Sequence, residues 1–592
     1  MLPHESSLVG QLKNACARFD INAVSSRSLL IQTLDGIAAQ LAQNEKTRVR
    51  IGSEDPSLWD DIRKLWRSVV RAQLTFWDGD DDDDDDTGTG QDGARKQTDH
   101  TLCHLCISLA RFTRNLVAGV PANQNRVYEN EPEIRRLLHY YTSWSSIQDE
   151  EATFAARLLT QALSNLVTGN DHLMSNLWET YLNLPEDQVV IIRLLSSPDT
   201  RILLAVLTLI ENCIHESRTR TKMLVRTTIG ARICVVLLDN MVKLYDAEET
   251  SEGGLAFDAG WVSRSQIFQI PSNRSGSYHI LTRIAEVGLV TELYQKLSIQ
   301  GEVVTPHQTT LMKIIDSYLQ SSSPSSPQTS PKTFKTQTRI IPLLTACFTS
   351  LSSYTQTAVR RALRPTPSEV ASPTTPLNPS NDGASLPFIP PAELDVMLPK
   401  VCEMLVLVTQ CIVSIILASQ RQPPGPDNPG VNDTVQVFYQ EQSATGMGFA
   451  EHIVETLRLL DKFLPRINFG RPVDSPLTSS TASGTQQSPG STAPGSTGFF
   501  YLKRDLVRLL GILSHGQKAV QDRVRRCGGI EVVMNLCVVD ERNPYLREHA
   551  IFTLHSLLKD NPANQAVVEE IRPMGQWDEN GVLRDTPNSV RR

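Results

Sequence analysis

Cysteine is scarce and unpatterned, with ten thiols in 592 residues and no regular pairing. That excludes a disulfide-stapled scaffold. Cys213, Cys234, Cys347 and Cys411 sit in apolar runs, as reduced thiols in a reducing compartment would, and a cytoplasmic location is expected. A basic excess is missing too. The formal charge is −8, which argues against a nucleic-acid binder. The opening MLPHESSLVGQLKNACARFD has no basic stretch followed by an apolar run, so no secretory leader is expected there. Alternating strand patterns closed by hairpin turns are rare.

Catalytic motifs are also absent. No GxxxxGK[ST] phosphate loop, HExxH zinc helix or GxSxG elbow occurs. Gly446-Met447-Gly448 is a lone GxG with no strand before it. Cys103-His104-Leu105-Cys106 has metal-ligand spacing, but no second pair follows, and LCHLCISL fits the apolar side of a helix. Both thiols are expected in a core, and the histidines do not cluster with carboxylates. No catalytic, cofactor-binding or metal-binding residue is nominated, and no enzymatic activity or cofactor is expected. The aspartate run in WDGDDDDDDDTGTGQDGARKQ (77–97) lacks the spaced ligands and turn glycine of a calcium loop and reads as a solvated acidic loop over 78–93.

One long apolar run is present, VCEMLVLVTQCIVSIILAS (401–419). It is nearly long enough to cross a bilayer. Glu403, Thr409 and Gln410 interrupt it and no basic cluster flanks it, so the expectation is a buried helix and no membrane span.

What fills the chain is helical periodicity. In EATFAARLLTQALSNLVT (151–168), Phe154, Leu158, Leu159, Ala162, Leu163, Leu166 and Val167 recur three and four apart. The same period returns in 102–117, 201–214, 232–244, 401–418, 451–464, 502–513 and 546–558. A tetrapeptide also returns: Pro-Ala-Asn-Gln at 121–124 and at 562–565, 441 positions apart. At that offset Leu105 falls on Leu546, Leu116 on Leu557, Val117 on Leu558 and Val127 on Val568. Pro121 and Pro562 are expected to stop the preceding helix, and Asn123 and Asn564 to cap the next. ALSNLVTGNDHL (162–173) is a looser copy, with Gly169 as the turn and Asn170 or Asp171 as the cap. LVRLLGILSHGQKAVQDRV (506–524) is another. Spacings of 50 (Asn115 to Asn165) and 44 (Leu513 to Leu557) suit armadillo or HEAT units of about 40–47 residues.

The fold class is therefore all-α, an armadillo/HEAT-like α-solenoid interrupted by disordered linkers. The expected organisation is a repeat array over 1–320, a linker at 321–334, and a middle helical block over 335–465 with Pro/Ser-rich insertions at 364–391 and 420–434. A linker over 466–498, a C-terminal unit over 499–573 and a flexible tail over 574–592 complete it. Ser323, Ser326, Ser330, Thr375, Ser475 and Ser488 precede prolines in the linkers and are candidate phosphorylation sites.

The segment 499–573 carries YLKRDLVRLLGIL, GGIEVVMNLCVVDERNPYLREHAI and LLKDNPANQ. It closely resembles the C-terminal domain of the ataxin-10 family. The acidic run and long linkers depart from the family and suggest a divergent, fungal homologue. The resemblance implies a cytoplasmic, non-enzymatic armadillo-like scaffold that acts in cytokinesis and cell division through protein partners, with self-association left open.

Candidate partner-binding residues follow from position. In KAVQDRVRRCGGIEVV, Val520, Val524 and Cys527 share one helical side and are expected in the core. Arg523, Arg525 and Arg526 would then point outward, with Lys518 nearby, where guanidinium groups clamp carboxylates. Asn115 and Asn165 are candidate groove residues, with a structural role as the alternative. Gly528-Gly529 is expected to end one helix and admit the next, as is Asn543-Pro544. Two rival readings are a karyopherin-like transport adaptor, which would want tryptophans and asparagines in rows, and an armadillo-type guanine-nucleotide exchange factor. Seven tryptophans, with Trp59, Trp66 and Trp77 ahead of the clearest repeats, make the first weaker.

Overall fold

A computed structural model describes residues 7–75, 91–146, 148–251, 272–321, 331–363, 395–420, 448–464, 466–468, 471–472, 499, 501–570, 575–577 and 583–585. The six candidate phosphorylation sites and most of the expected acidic loop and linkers lie outside these residues. The chain divides into two compact units, Met1–Leu297 and Ser298–Arg592.

The first unit contains α1 (Leu8–Ala17), α2 (Val24–Gln43), α3 (Glu45–Glu54), α4 (Leu58–Thr75), α5 (Gln91–Val117), α6 (Pro121–Val127), α7 (Glu131–Tyr141) and α8 (Glu150–Val167). It continues with α9 (Asp171–Leu182), α10 (Val190–Leu195), α11 (Thr200–Ile214), α12 (Arg218–Arg226), α13 (Thr228–Ser251), α14 (Ser272–Val287) and α15 (Val290–Lys296). The second unit contains α16 (Pro306–Ser321), α17 (Pro331–Ala362), α18 (Leu398–Gln420), α19 (Phe449–Phe463), α20 (Leu502–Ser514), α21 (Lys518–Arg526), α22 (Gly529–Asn535), α23 (Leu546–Leu558) and α24 (Pro562–Glu570). Helices α16 and α17 thus extend to Ser321 and from Pro331, into the expected linker.

Helices three apart in the chain are neighbours in space. In the first unit α2, α5, α8, α11 and α14 pack side by side in that order; α4, α7, α10 and α13 form a second row, and α9, α12 and α15 follow one another in a third. This is an α-solenoid, in which each repeat buries its apolar side against the next. Helix α8 shows the reason. Ala155, Leu158, Leu159, Ala162, Leu163, Leu166 and Val167 are all buried, because α5 and α11 flank it while α7 and α9 lie behind. Each such leucine contributes roughly 1.5–3 kcal/mol when fully buried.

Five of the joints between helices are built the same way. Three residues after a buried Leu116, Leu166, Cys213, Leu513 or Leu557 stands a left-handed residue: Gly119, Gly169, Glu216, Gly516 and Asp560, with φ of 72°, 76°, 50°, 66° and 55°. A helix ends there and another starts within two residues. The expected roles of proline and asparagine need correction. Pro121 and Pro562 do not stop a helix; they are the first residues of α6 and α24, where the missing N–H costs nothing. Asn123 and Asn564 do not cap; they lie inside the new helix, and their amides donate back to the old one. Asn123 Nδ2 bonds Leu116 O at 3.0 Å and Arg48 O at 2.9 Å. Asn564 Nδ2 bonds Leu557 O at 2.8 Å and Gln521 O at 3.4 Å. Arg220 Nε reaches Cys213 O in the same way. The caps stand at the residue after the left-handed one: Asn170 accepts from the Leu173 N–H, Ser217 from that of Arg220, and Asn561 from that of Asn564. Gly528, at φ 68°, likewise ends α21 before Gly529 opens α22.

In the second unit α16, α18, α20 and α23 stack in order. Helix α18 is long and apolar enough to cross a membrane by length and composition. Here it packs against α16, α17 and α20, with Val401, Cys402, Met404, Leu405, Val408, Cys411, Ile412, Ile415 and Ile416 buried. Two short antiparallel pairs join Ile467–Asn468 to Arg471–Pro472, and Gly575–Trp577 to Leu583–Asp585. The second lies in the tail expected to be flexible. Its signal in the sequence is the overlooked dipeptide Asn580-Gly581.

Two substitutions test the joint. Asn564→Ala should lower unfolding free energy by about 2 kcal/mol, because buried carbonyls lose their donor. Leu557→Asp, at a site with no exposed surface, should abolish cooperative melting of the second unit. Urea titration followed by circular dichroism measures both. An unchanged midpoint for Asn564→Ala would show that the amide does not hold the joint.

Candidate functional site

The row α2–α5–α8–α11 stacks side by side, and asparagines lock it. Asn115 Nδ2 on α5 donates to Ala38 O on α2 at 2.9 Å, and Asn165 Nδ2 on α8 donates to Arg114 O on α5 at 3.1 Å. Asn212 on α11 donates to Ser164 Oγ and Thr168 Oγ1 of the preceding repeat at 3.0 and 2.8 Å. Gln124 adds bonds to Asn165 O and Thr168 O, both 2.9 Å. Asn115 and Asn165, expected to face a groove, therefore spend their amide donors on neighbouring backbone. Asn115 is 8% exposed, and its carbonyl accepts from Arg114 Nε at 3.1 Å.

What that ladder leaves toward solvent is a line of guanidinium groups. Arg111 pairs with Asp35 on α2 at 2.6 Å. Arg114 bonds Gln161 Oε1 on α8 at 2.6 Å. Arg157 lies over the Phe154 ring, 4.5 Å from its centroid, and its Nε has no hydrogen-bond partner. Arg201 on α11 is held by Asp199 at 2.9 Å. Partial burial, then the charges of Arg111 and Arg157, depress the Arg114 pKa. Burial and then Arg201, opposed by Asp199, depress that of Arg157. Four cations thus share a strip with two directly bonded carboxylates, and Arg114 and Arg157 bond neither. An incoming carboxylate would relieve the crowding and find planar donors that suit it. These arginines were not singled out in the sequence. Their signal was an i, i+3 pair, Arg111 and Arg114, on the polar side of a helix whose opposite side is core.

The expected C-terminal arginine patch is only partly exposed. Val520 and Val524 are core, as expected, while Cys527 is half-buried. Lys518 and Arg526 are exposed. Arg525 is half-buried and bonds Asp522 and Asn564 Oδ1, both at 3.0 Å. Arg523 is turned inward and is 6% exposed. Its Nε donates to Glu451 Oε1 at 2.7 Å, and its Nη2 to Oε2 of the same carboxylate. The reason is that α21 packs against both α19 and α24, so its buried arc is wider than the Val520–Val524 stripe. Gly448 makes room: a Cβ there would strike the Arg523 guanidinium. The lone Gly-x-Gly thus ends in a glycine with a steric role.

The expected separation of histidines from carboxylates also fails. His100 and His104 on α5 both meet Glu151 on α8. Cys103 and Cys106 on the same helix are buried, as expected, and burial pushes the Cys106 thiol well above its ordinary value.

Glu451 carries a pH signature. Burial pushes its carboxyl up, but the Arg523 hydrogen bonds and charge, together with the Glu451 and Gly448 backbone N–H groups, outweigh this and hold it below the ordinary 4.5. The folded value lies below the unfolded one, so the stabilisation is full above pH 4.5 and is lost as pH falls through the folded value. Arg523→Ala should lower stability by about 3 kcal/mol at neutral pH, and the deficit should shrink as pH drops below 4.5. Melting curves at pH 7 and at acid pH measure it. A pH-independent deficit would mean that Glu451 is not an ionised partner.

Comparison with known proteins concentrates on the C-terminus. Residues 502–590 match the family model described as the spinocerebellar ataxia type 10 protein domain. An ataxin-10 homolog of Dictyostelium discoideum is 40% identical over 73 residues, which is 12% of this chain and 12% of that protein. Ataxin-10 of Bos taurus is 24% identical over 179 residues, covering 29% and 35%. The aligned stretches thus span between about an eighth and a third of these relatives' own length. Among solved structures, that of SYS-1 aligns over 95% of this chain and 94% of its own at 10% identity, with a TM-score of 0.29, a superposition too loose to match residue to residue. Over its C-terminal segment the chain is similar to proteins of the ataxin-10 family.

Proposed function

We propose that the chain is a non-enzymatic scaffold that docks acidic protein segments on the α5–α8–α11 surface and acts in cell division in the cytoplasm. The observation that carries the docking reading is the row Arg111, Arg114, Arg157 and Arg201, where like charges crowd and Arg114 and Arg157 lack a bonded carboxylate. An extended segment bearing several Asp or Glu residues fits such a row, since the asparagine ladder fixes the spacing of its donors. The cell-division role draws on the ataxin-10 resemblance of the C-terminal segment.

The transport-adaptor reading receives less support. No tryptophan lies on α2, α5, α8 or α11, and Trp59, Trp66 and Trp178 are core residues. Trp178 gives its indole N–H to Arg220 O at 3.0 Å. Nothing in the geometry favours a guanine-nucleotide exchange role.

The experiment is complementation with the full chain. Cells depleted of the protein should accumulate division defects that the wild-type chain corrects and Arg114→Glu/Arg157→Glu does not. Both side chains are partly exposed, and the variant should retain wild-type circular dichroism. In parallel, polyglutamate peptide should bind the wild-type chain, weaken as salt rises, and be lost in the variant. Normal division in depleted cells would overturn the cellular role. Peptide binding unchanged in the folded variant would overturn the docking surface.

A further inference from the structure

We propose that His100, His104 and Glu151 form a three-ligand site for a zinc-class divalent cation, bridging α5 and α8 with one coordination position open to solvent. His100 and His104 are four residues apart, one turn of the same helix, so their imidazoles stand on one side. The rings stack at 4.5 Å between centroids, with 26° between planes. That stacking aims both Nε2 atoms at the same place. His100 Nε2 lies 2.8 Å from Glu151 Oε1 and His104 Nε2 lies 3.3 Å from it. The three donor atoms all fall within 4.8 Å of one another.

These separations suit a metal. Ligands at about 2.0–2.1 Å in a tetrahedron stand roughly 3.3–3.4 Å apart, so the His104–Glu151 edge already fits, and the His100–Glu151 edge needs to open by about half an ångström. Two neutral imidazoles and a carboxylate favour zinc, nickel or copper over magnesium or calcium, which prefer all-oxygen shells. The thiols nearby do not complete the set. Cys103 and Cys106 are buried in the α5 core, while His100 is exposed and His104 and Glu151 are partly exposed.

The frame is already rigid. Asn165 and Gln124 tie α5, α6 and α8 through backbone carbonyls, so the carboxylate and the imidazoles come from helices held in fixed register. Glu151 is in the first turn of α8, where the helix dipole favours an anion. Three protein ligands leave one tetrahedral position for water or for a donor from a bound partner, as in zinc sites that are not closed.

The test uses the full, tag-free chain stripped of metal. Calorimetric titration with Zn2+ should show one ion bound per chain. Co2+ should give a visible spectrum with nitrogen and oxygen ligands and no thiolate charge-transfer band. His100→Gln, His104→Gln and Glu151→Gln should each weaken binding by more than about tenfold, since even the hydrogen-bond partner of a metal ligand is worth about 10–100-fold. Circular dichroism should show these three variants folded, because each side chain is at least one-third exposed. Failure to bind a single equivalent would overturn the site. So would affinity unchanged in the folded variants, or a thiolate band from Cys16, Cys527 or Cys537, the cysteines that are not fully buried.

Discussion

A helix that ends inside a protein leaves its last carbonyl groups without partners, and a solenoid must end a helix every dozen or so residues. In this chain the answer is a side-chain amide or guanidinium carried by the next helix and folded back onto the last. Asn123, Asn564 and Arg220 each close the carbonyl seven residues behind them. The left-handed residue between the two helices sets the turn that makes the reach possible. Stacking of the long helices depends on these joints, because the carbonyls they occupy belong to the same helix ends that pack against the neighbouring repeat. Glu216 and Asp560 adopt this conformation without being glycine, at a backbone cost of about 1–2 kcal/mol each. The fold supplies that energy in two of the five joints.

Polar side chains accordingly fall into two populations. Asn115, Asn123, Asn561, Asn564, Gln124 and Gln521 are nearly water-free and serve backbone groups. Arg111, Arg114, Arg157 and Arg201 of the first unit make up the second population, and each is at least partly exposed. Lys503 belongs to the first population despite its charge. Fully buried, it gives its ammonium to Asp461 Oδ1 at 3.1 Å and Leu464 O at 3.0 Å, which ties α20 to the end of α19. Burial depresses its pKa, against the pull of Asp461.

Much of this was readable before any coordinates. The three-and-four spacing in 151–168 is the core side of α8, and the recurrence of Pro-Ala-Asn-Gln is the recurrence of a joint. What spacing cannot disclose is direction across the chain. Arg523 looked exposed because its own helix has an apolar stripe that excludes it, yet its partner Glu451 comes from 72 residues earlier. Asn123 looked like a cap because asparagine beside a helix start commonly is one. Only the position of Leu116 O shows that its amide faces backward. His104 and Glu151 are separated by 47 residues, close to one repeat length, so the turn-spaced His100–His104 pair and the repeat period together were the available signal. No local motif contained it.

Helix α18 places a demand on synthesis order. Its 23 residues are apolar enough to suit a lipid environment, yet they are shielded by α16 and α17, made earlier, and by α20, made later. While the ribosome adds the roughly ninety residues between Gln420 and Ser514, one flank of that helix has no native cover. The growing chain therefore carries a temporary sticky stripe, of the kind that invites chaperones or misdirected insertion. Gln410, which will bond Asp505 Oδ2 at 2.7 Å once α20 arrives, interrupts the stripe near its middle. The same polar residue that later fastens two helices also keeps the nascent segment less fit for the bilayer.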